Sequence, residues 1–489
     1  MQNDLNKKIV NASKWSSITE IIARLISPVV NIFLARLLAP EEFGIVATIT
    51  MVITFAEIFT DAGFQKYLIQ HEFKDENELD KNTNVAFLTN LGLSLVICAL
   101  IFFFRDKIAT AVGSPGLGDS ISISSVLIII AAFSSIQMAR FKRAFDFKTL
   151  FYARAGASLI PLLVTIPLAI VMRNYWALLI GNFTSQLFTA VILTIKSKWK
   201  PSFYFRLHIL KEMFSFSAWT LLESISIWLT SNIGIFIVGN TLNEYYLGIY
   251  KTSMSTVNSY MAIITAALTP VLFSALSRYQ NDNDGFKKTY YGFQKLTATL
   301  IFPMGVGIFL YRDLVTAILL GEQWKEAAGF VGLWGLTSSF TIVFSHFSSE
   351  VYRSKGKPKI SLFAQLLHLA FVIPALIIST NYSFTTLYTV RSLVRIQAIL
   401  TAIIIMRAIF KFKILDVFKN VLPMIISSAI MGACGYGLQM VSQNIVWQII
   451  SVIICVIIYF AVLLVCFPST RRELLKNPQV SKYLKRFQK

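Results

Sequence analysis

The sequence predicts an all-α membrane protein of about fourteen transmembrane helices, and three observations carry that prediction. First, 55% of its residues are hydrophobic and only 14% charged, against roughly 25% charged in soluble domains. Second, apolar windows of spanning length recur along the chain. Asn444 to Phe467 reads NIVWQIISVIICVIIYFAVLLVCF without a formal charge, and a span takes roughly 20 such residues. Third, the lysines and arginines are distributed so unevenly between successive loops that they define a sidedness.

Taken in order, apolar windows bounded by charge clusters fall at 15–38, 43–67, 83–104, 121–140, 151–172, 175–195, 213–238, 248–277, 289–311, 327–349, 361–380, 385–406, 421–440 and 446–467. Pro28, Pro161, Pro167, Pro270, Pro303, Pro374 and Pro423 interrupt them, an ordinary feature of membrane helices. The polar start, MQNDLNKKIVNASKWSS, leads into a full-length span and reads as a cytoplasmic tail rather than a signal peptide. Cys98, Cys434, Cys455 and Cys466 lie in apolar windows without metal-ligand spacing.

An even number of spans places both termini on one side. With that side cytoplasmic, inner segments carry 33 of the 45 Lys and Arg, counting Lys66 and Arg140 at the inner ends of their windows, and outer loops carry five: Arg105, Lys107, Arg173, Arg312 and Lys325. That asymmetry is the positive-inside pattern, and one miscounted span would scramble it. The net charge of +20 then matches anionic inner-leaflet lipids, and no nucleic-acid partner is needed to explain it. No extramembrane segment is longer than the 22-residue C-terminal tail, and no GxxxxGK[ST] loop occurs. A soluble catalytic domain or nucleotide-binding cassette is therefore excluded, no cofactor is expected, and any energy would come from a gradient.

An internal repeat appears at an offset of 204 residues: VNIFLARLLAPEEFGI (Val30 to Ile45) lies over GIFIVGNTLNEYYLGI (Gly234 to Ile249). It aligns Gly44 with Gly248 and Ile45 with Ile249, and so equates spans 1 and 2 with spans 7 and 8. Two six-span lobes, 1–212 and 213–415, followed by 416–489 with the last two spans and a basic tail, is the economical division. Repeats separated by an even number of spans run parallel and tend to rock around a central site.

Charges inside the membrane cost about 2.5–3.5 kcal/mol each on insertion scales, so they usually face a cavity or a partner. Span 1 holds Arg24 and Arg36, span 2 Glu57 and Asp61, span 7 Glu223, span 8 Lys251, and span 12 Arg391 and Arg395. Glu57 and Asp61 are four apart, as are Arg391 and Arg395, so each pair shares a helix face. Lys251, Ser255, Asn258 and Ser259 form one polar stripe, and Glu223, Ser226 and Thr230 another. Arg24, Lys251, Arg391 and Arg395 would line a cationic cavity suited to a phosphate- or carboxylate-bearing substrate. Glu57, Asp61 and Glu223 are the candidate ion-coupling groups. Structural pairing competes with each assignment: Glu20 can neutralise Arg24, and Arg36 and Lys251 can snorkel to the outer interface.

The stretches FLARLLAPEEFGIVA (33–47), FTDAGFQKYLIQ (59–70), LGIYKTSMSTVNSYMAIITAALTPVLFSALSRYQ (247–280), FPMGVGIFLYRDLVTAILLGEQWKEA (302–327) and RSKGKPK (353–359) resemble the polysaccharide biosynthesis and export proteins, the Wzx-type flippases of the MATE-like MOP superfamily. The resemblance implies flipping of an undecaprenyl-diphosphate-linked oligosaccharide across the bacterial inner membrane, for O-antigen, capsule or exopolysaccharide. As partners it implies that lipid-linked oligosaccharide, membrane lipids, and the polymerase and chain-length regulator of the same pathway. One departure matters. Relatives often carry an Arg and an Asp in the seventh span, where this chain has Ser231 and Gly234, so any role of that pair does not carry over.

Two other classes compete. A MATE-type exporter would share the architecture, but its cavity should favour cations, against which the intramembrane arginines and lysine argue. A membrane glycosyltransferase or polymerase needs carboxylates on a substantial outer loop. Glu41 and Glu42 sit in a loop of about five residues, and turn capping explains them more cheaply.

Overall fold

A computed structural model describes residues 15, 19, 22–23, 25–61, 63–357, 359–468 and 470–471, without the side chains of 215–220, 267 and 270. The described residues contain helices and connecting turns and no strand. In chain order the helices are α1 (Leu25–Leu37), α2 (Pro40–Asp61), α3 (Phe64–Gln70), α4 (Glu76–Ala111), α5 (Gly118–Arg143), α6 (Phe147–Met172), α7 (Trp176–Lys196), α8 (Leu207–Thr241), α9 (Glu244–Arg278), α10 (Asn283–Leu310), α11 (Arg312–Leu319), α12 (Glu322–Ser354), α13 (Lys359–Ser379), α14 (Phe384–Ala408), α15 (Ile414–Lys419), α16 (Leu422–Val441) and α17 (Ile445–Cys466). Among the described residues twelve helices are long and apolar enough to cross a membrane, or thirteen if α9, bent by 42° between Ala266 and Val271, is one span. The shorter α1 occupies the window expected for the first span. The structure thus supports twelve to thirteen of the fourteen spans.

Local chemistry sets the helix starts. Asp75, Asp146, Asp282, Ser383 and Asn444 each accept a backbone N–H of the first turn of the helix that follows, satisfying donors that lack an intrahelical partner. Pro40 opens α2, where its missing N–H costs nothing. Leu163, Val171, Ile195 and Val465 stand two-thirds or more exposed, a surface suited to lipid and untenable in water.

By contact the chain separates into two compact units, Met1–Thr252 and Ser253–Lys489. In the first, the inner core gathers Phe64, Tyr67 and Leu68 of α3 with Val85 and Phe87 of α4, Ile136 of α5, and Trp199. Arg140 is tied there to Asp80 and, at 3.7 Å, to Glu76, and Arg143 donates to the carbonyls of Leu68, Ile69 and His71. The repeat-related glycines meet in this unit. A Cβ on Gly44 would stand 2.0 Å from the Glu244 carbonyl oxygen, and one on Gly248 would stand 1.8 Å from that of Pro40. The starts of α2 and α9 therefore touch backbone to backbone, an approach only glycine permits at both positions. Of the acidic pair beside them, Glu42 accepts the Tyr175 N–H at 2.5 Å, capping the start of α7 rather than its own turn.

In the second unit α12 packs closely on α10. A Cβ on Gly305 would meet the Ser339 side chain at 2.5 Å, and one on Gly335 would meet Ile308 at 2.6 Å. With no hydrophobic force between helices in lipid, such small-residue contacts supply the packing. Leu272, Leu276, Phe286, Tyr290, Phe347, Tyr352 and Phe412 form its inner core. Among the described residues each unit contains one π-turn, Pro161–Thr165 in α6 and Ile342–His346 in α12, local widenings that recur at functional positions.

Candidate functional site

The second unit brings Arg391 and Arg395 together. They project from α14 on either side of a turn at Val394, and both guanidinium groups lie over one indole, that of Trp334 on α12. The Arg395 guanidinium carbon is 4.0 Å from the ring centroid and that of Arg391 is 4.9 Å away. Trp334 is only 2% exposed, and its Nε1–H donates to Asn258 Oδ1 of α9 at 3.0 Å, which fixes the plane of the ring. Arg395 also donates to Ser338 Oγ at 2.6 Å, one helical turn beyond Trp334. A guanidinium on an indole face gains about 0.5–2 kcal/mol, and stacking holds the plane of the cation while its edge remains the side that recognises anions. Within electrostatic reach of both arginines, His368 Nδ1 and Gln397 Oε1 are 2.9 Å apart, and Gln397 donates to Thr401 Oγ1 at 2.7 Å.

The first unit holds the acidic pair. Asp61 accepts from Ser135 Oγ of α5 at 3.0 Å, and Ser135 accepts in turn from Gln65 Nε2 at 3.0 Å. Lys142 stands within electrostatic reach of Asp61. Glu57 is hydrogen-bonded by Gln186 of α7. One turn before Glu57, Thr54 Oγ1 accepts from Trp228 Nε1 of α8 at 3.1 Å, and Phe55 packs on the same indole at 4.6 Å. Both carboxylates are half-buried, and the side chains that hydrogen-bond them are uncharged.

Two of the remaining candidates lie among the described residues. Glu223 forms an ion pair with Lys66 at 2.8 Å, with both side chains 45% exposed. Lys251 is exposed on the second turn of α9, and Asn258 of its polar stripe is the residue that anchors Trp334. Arg24 and Glu20 lie outside the described residues. Charge alone could not have shown Trp334, Ser338, Ser135 or Gln186, because a tryptophan, serine or glutamine in a span is ordinary until its partner is placed.

Comparison with known proteins agrees with this architecture. A family model described as "polysaccharide biosynthesis protein" matches residues 33–329. The chain is 21% identical over 485 residues to the teichuronic acid biosynthesis protein TuaB of Bacillus subtilis, covering 98% of this chain and 99% of that one. It is 21% identical over 380 residues to the lipopolysaccharide biosynthesis protein WzxC of Escherichia coli, covering 76% and 75%. Among solved structures, the lipid II flippase MurJ in an inward closed conformation superposes with a TM-score of 0.75 at 16% identity, over 93% of this chain and 98% of that one. An inward-facing multidrug transporter of the MATE family superposes at 0.60 with 14% identity, over 84% and 98%. The chain belongs to the polysaccharide biosynthesis protein family and has the fold that MurJ and the MATE proteins share.

Proposed function

We propose that this protein flips an undecaprenyl-diphosphate-linked oligosaccharide from the inner to the outer leaflet of the bacterial cytoplasmic membrane by alternating access, supplying O-antigen, capsule or exopolysaccharide synthesis. The observation that carries the reading is the pair of arginines held over Trp334. Two adjacent guanidinium groups offer the planar donors that diphosphate oxygens accept, and intramembrane cations would repel the cationic drugs of a MATE-type exporter. The similarity to proteins of lipopolysaccharide and teichuronic acid biosynthesis supports a polysaccharide pathway. Arg24 and Lys251 belong to this cationic set in the proposal, and both termini lie in the cytoplasm, as the lysine and arginine asymmetry requires.

Glu57 and Asp61 are the coupling candidates. They sit half-buried with hydroxyl and carboxamide groups as hydrogen-bond partners rather than a bound arginine, so a proton or sodium ion can come and go without breaking an arginine pair. The test of the main reading is the Arg391→Ala/Arg395→Ala double variant. Surface polysaccharide should disappear while the protein remains in the membrane at wild-type amount; normal polysaccharide would refute the assignment.

A further inference from the structure

We infer that the turn joining α14 to α15 is a binding site for an anionic membrane phospholipid. A cavity of about 850 Å³ opens there, lined by Arg407, Lys411 and Lys413 together with Ile414, Leu415 and Phe418. No carboxylate is among its lining residues. Several bases near the other inner helix ends are paired, Arg140 with Asp80 and Glu76, Lys66 with Glu223 and Arg353 with Glu350. The side chains of Arg407, Lys411 and Lys413 meet no hydrogen-bond or ion-pair partner among the described residues. Asp416, on the same short helix, is not part of the lining and acts instead on Tyr291.

The backbone supports a built site. Lys411 has φ +58°, an uncommon conformation for a residue with a side chain. It reverses the chain after α14 and presents Lys411 and Lys413 to one cavity. Phe412 between them is buried in the inner core, which anchors the turn. Beside the three cations, Leu415 is 62% exposed and Phe418 is also exposed, so an apolar ledge adjoins a cationic one. A phosphate on an acyl chain satisfies both surfaces, whereas free phosphate satisfies only the first. Basic pockets at the inner ends of transmembrane helices bind lipid head groups by this combination. The inference rests on the cytoplasmic placement of these loops proposed above.

The full-length protein, purified with a mixture of phosphatidylglycerol and phosphatidylcholine, provides the test by native mass spectrometry. Lys411→Gln/Lys413→Gln should lower the ratio of retained phosphatidylglycerol to phosphatidylcholine by roughly fivefold per cation removed, equivalent to about 1 kcal/mol each. Lys148→Gln/Lys198→Gln, which removes equal charge elsewhere, should leave the ratio unchanged. Equal ratios in the two double variants would overturn the site, as would displacement of phosphatidylglycerol by excess inorganic phosphate. The orientation is read separately from Leu415→Cys in a background lacking the four native cysteines. Labelling by a membrane-impermeant thiol reagent from the outside alone would remove the cytoplasmic placement without altering the retention result.

Discussion

The two compact units handle intramembrane charge in opposite ways. In Met1–Thr252 the charges singled out on α2 are carboxylates, and neutral groups hold them: Ser135 on Asp61 and Gln186 on Glu57. In Ser253–Lys489 those on α14 are arginines, stacked on a buried indole and bonded to Ser338. A carboxylate held by a hydroxyl and a carboxamide keeps the capacity to exchange a proton or ion, because either form can be hydrogen-bonded. A guanidinium over an indole stays charged and oriented. In the proposed function this difference suits the first unit to ion coupling and the second to holding an anion.

That comparison can be broken at several points, in order of expected effect. Loss of both arginines should abolish polysaccharide export, as stated above. Trp334→Leu removes the platform while leaving both charges. With cation–π contributions of about 0.5–2 kcal/mol, transport in proteoliposomes should fall roughly tenfold, and Trp334→Phe should recover part of it. An unchanged rate in Trp334→Leu would show that the stack is packing alone.

Gly248→Ala strikes the scaffold instead. Its methyl would stand 1.8 Å from the Pro40 carbonyl oxygen, and overpacking of this kind costs about 1–3 kcal/mol. A clear drop in thermal midpoint in detergent is expected, larger than that of Gly92→Ala, where nothing stands within 4 Å of the added carbon. For the carboxylates, Glu57→Gln and Asp61→Asn should each remove the dependence of transport on an imposed pH gradient while leaving substrate retention intact. Transport by the wild type that ignores collapse of the gradient would end their coupling role.

The smallest effect belongs to Glu223→Gln. Its pair with Lys66 is half exposed, and exposed pairs contribute about 0–1 kcal/mol. Gradient dependence should survive this change. If it does not, Glu223 joins the coupling set and the contrast between paired and exchangeable carboxylates is redrawn.

The span windows were readable because each apolar run is longer than a soluble core requires and ends at charge. The Gly44 and Gly248 alignment was readable as a repeat, but that the two glycines touch was not, since sequence offset carries no distance. Arg391 and Arg395 could be paired from their spacing of four on one helix. Their common platform could not, because Trp334 lies 57 residues before Arg391 and its indole is one of eight in the chain.

By itself the sequence determined the helical membrane class, the order of the spans, the sidedness expected from its bases and the identity of the few charges left among apolar residues. These follow from desolvation, which acts residue by residue along the chain. Only the tertiary structure decided which of those charges share a platform, which are spent on an ion pair and which cations are left without one. Such outcomes depend on distances between side chains on different helices, and packing sets those distances, not composition.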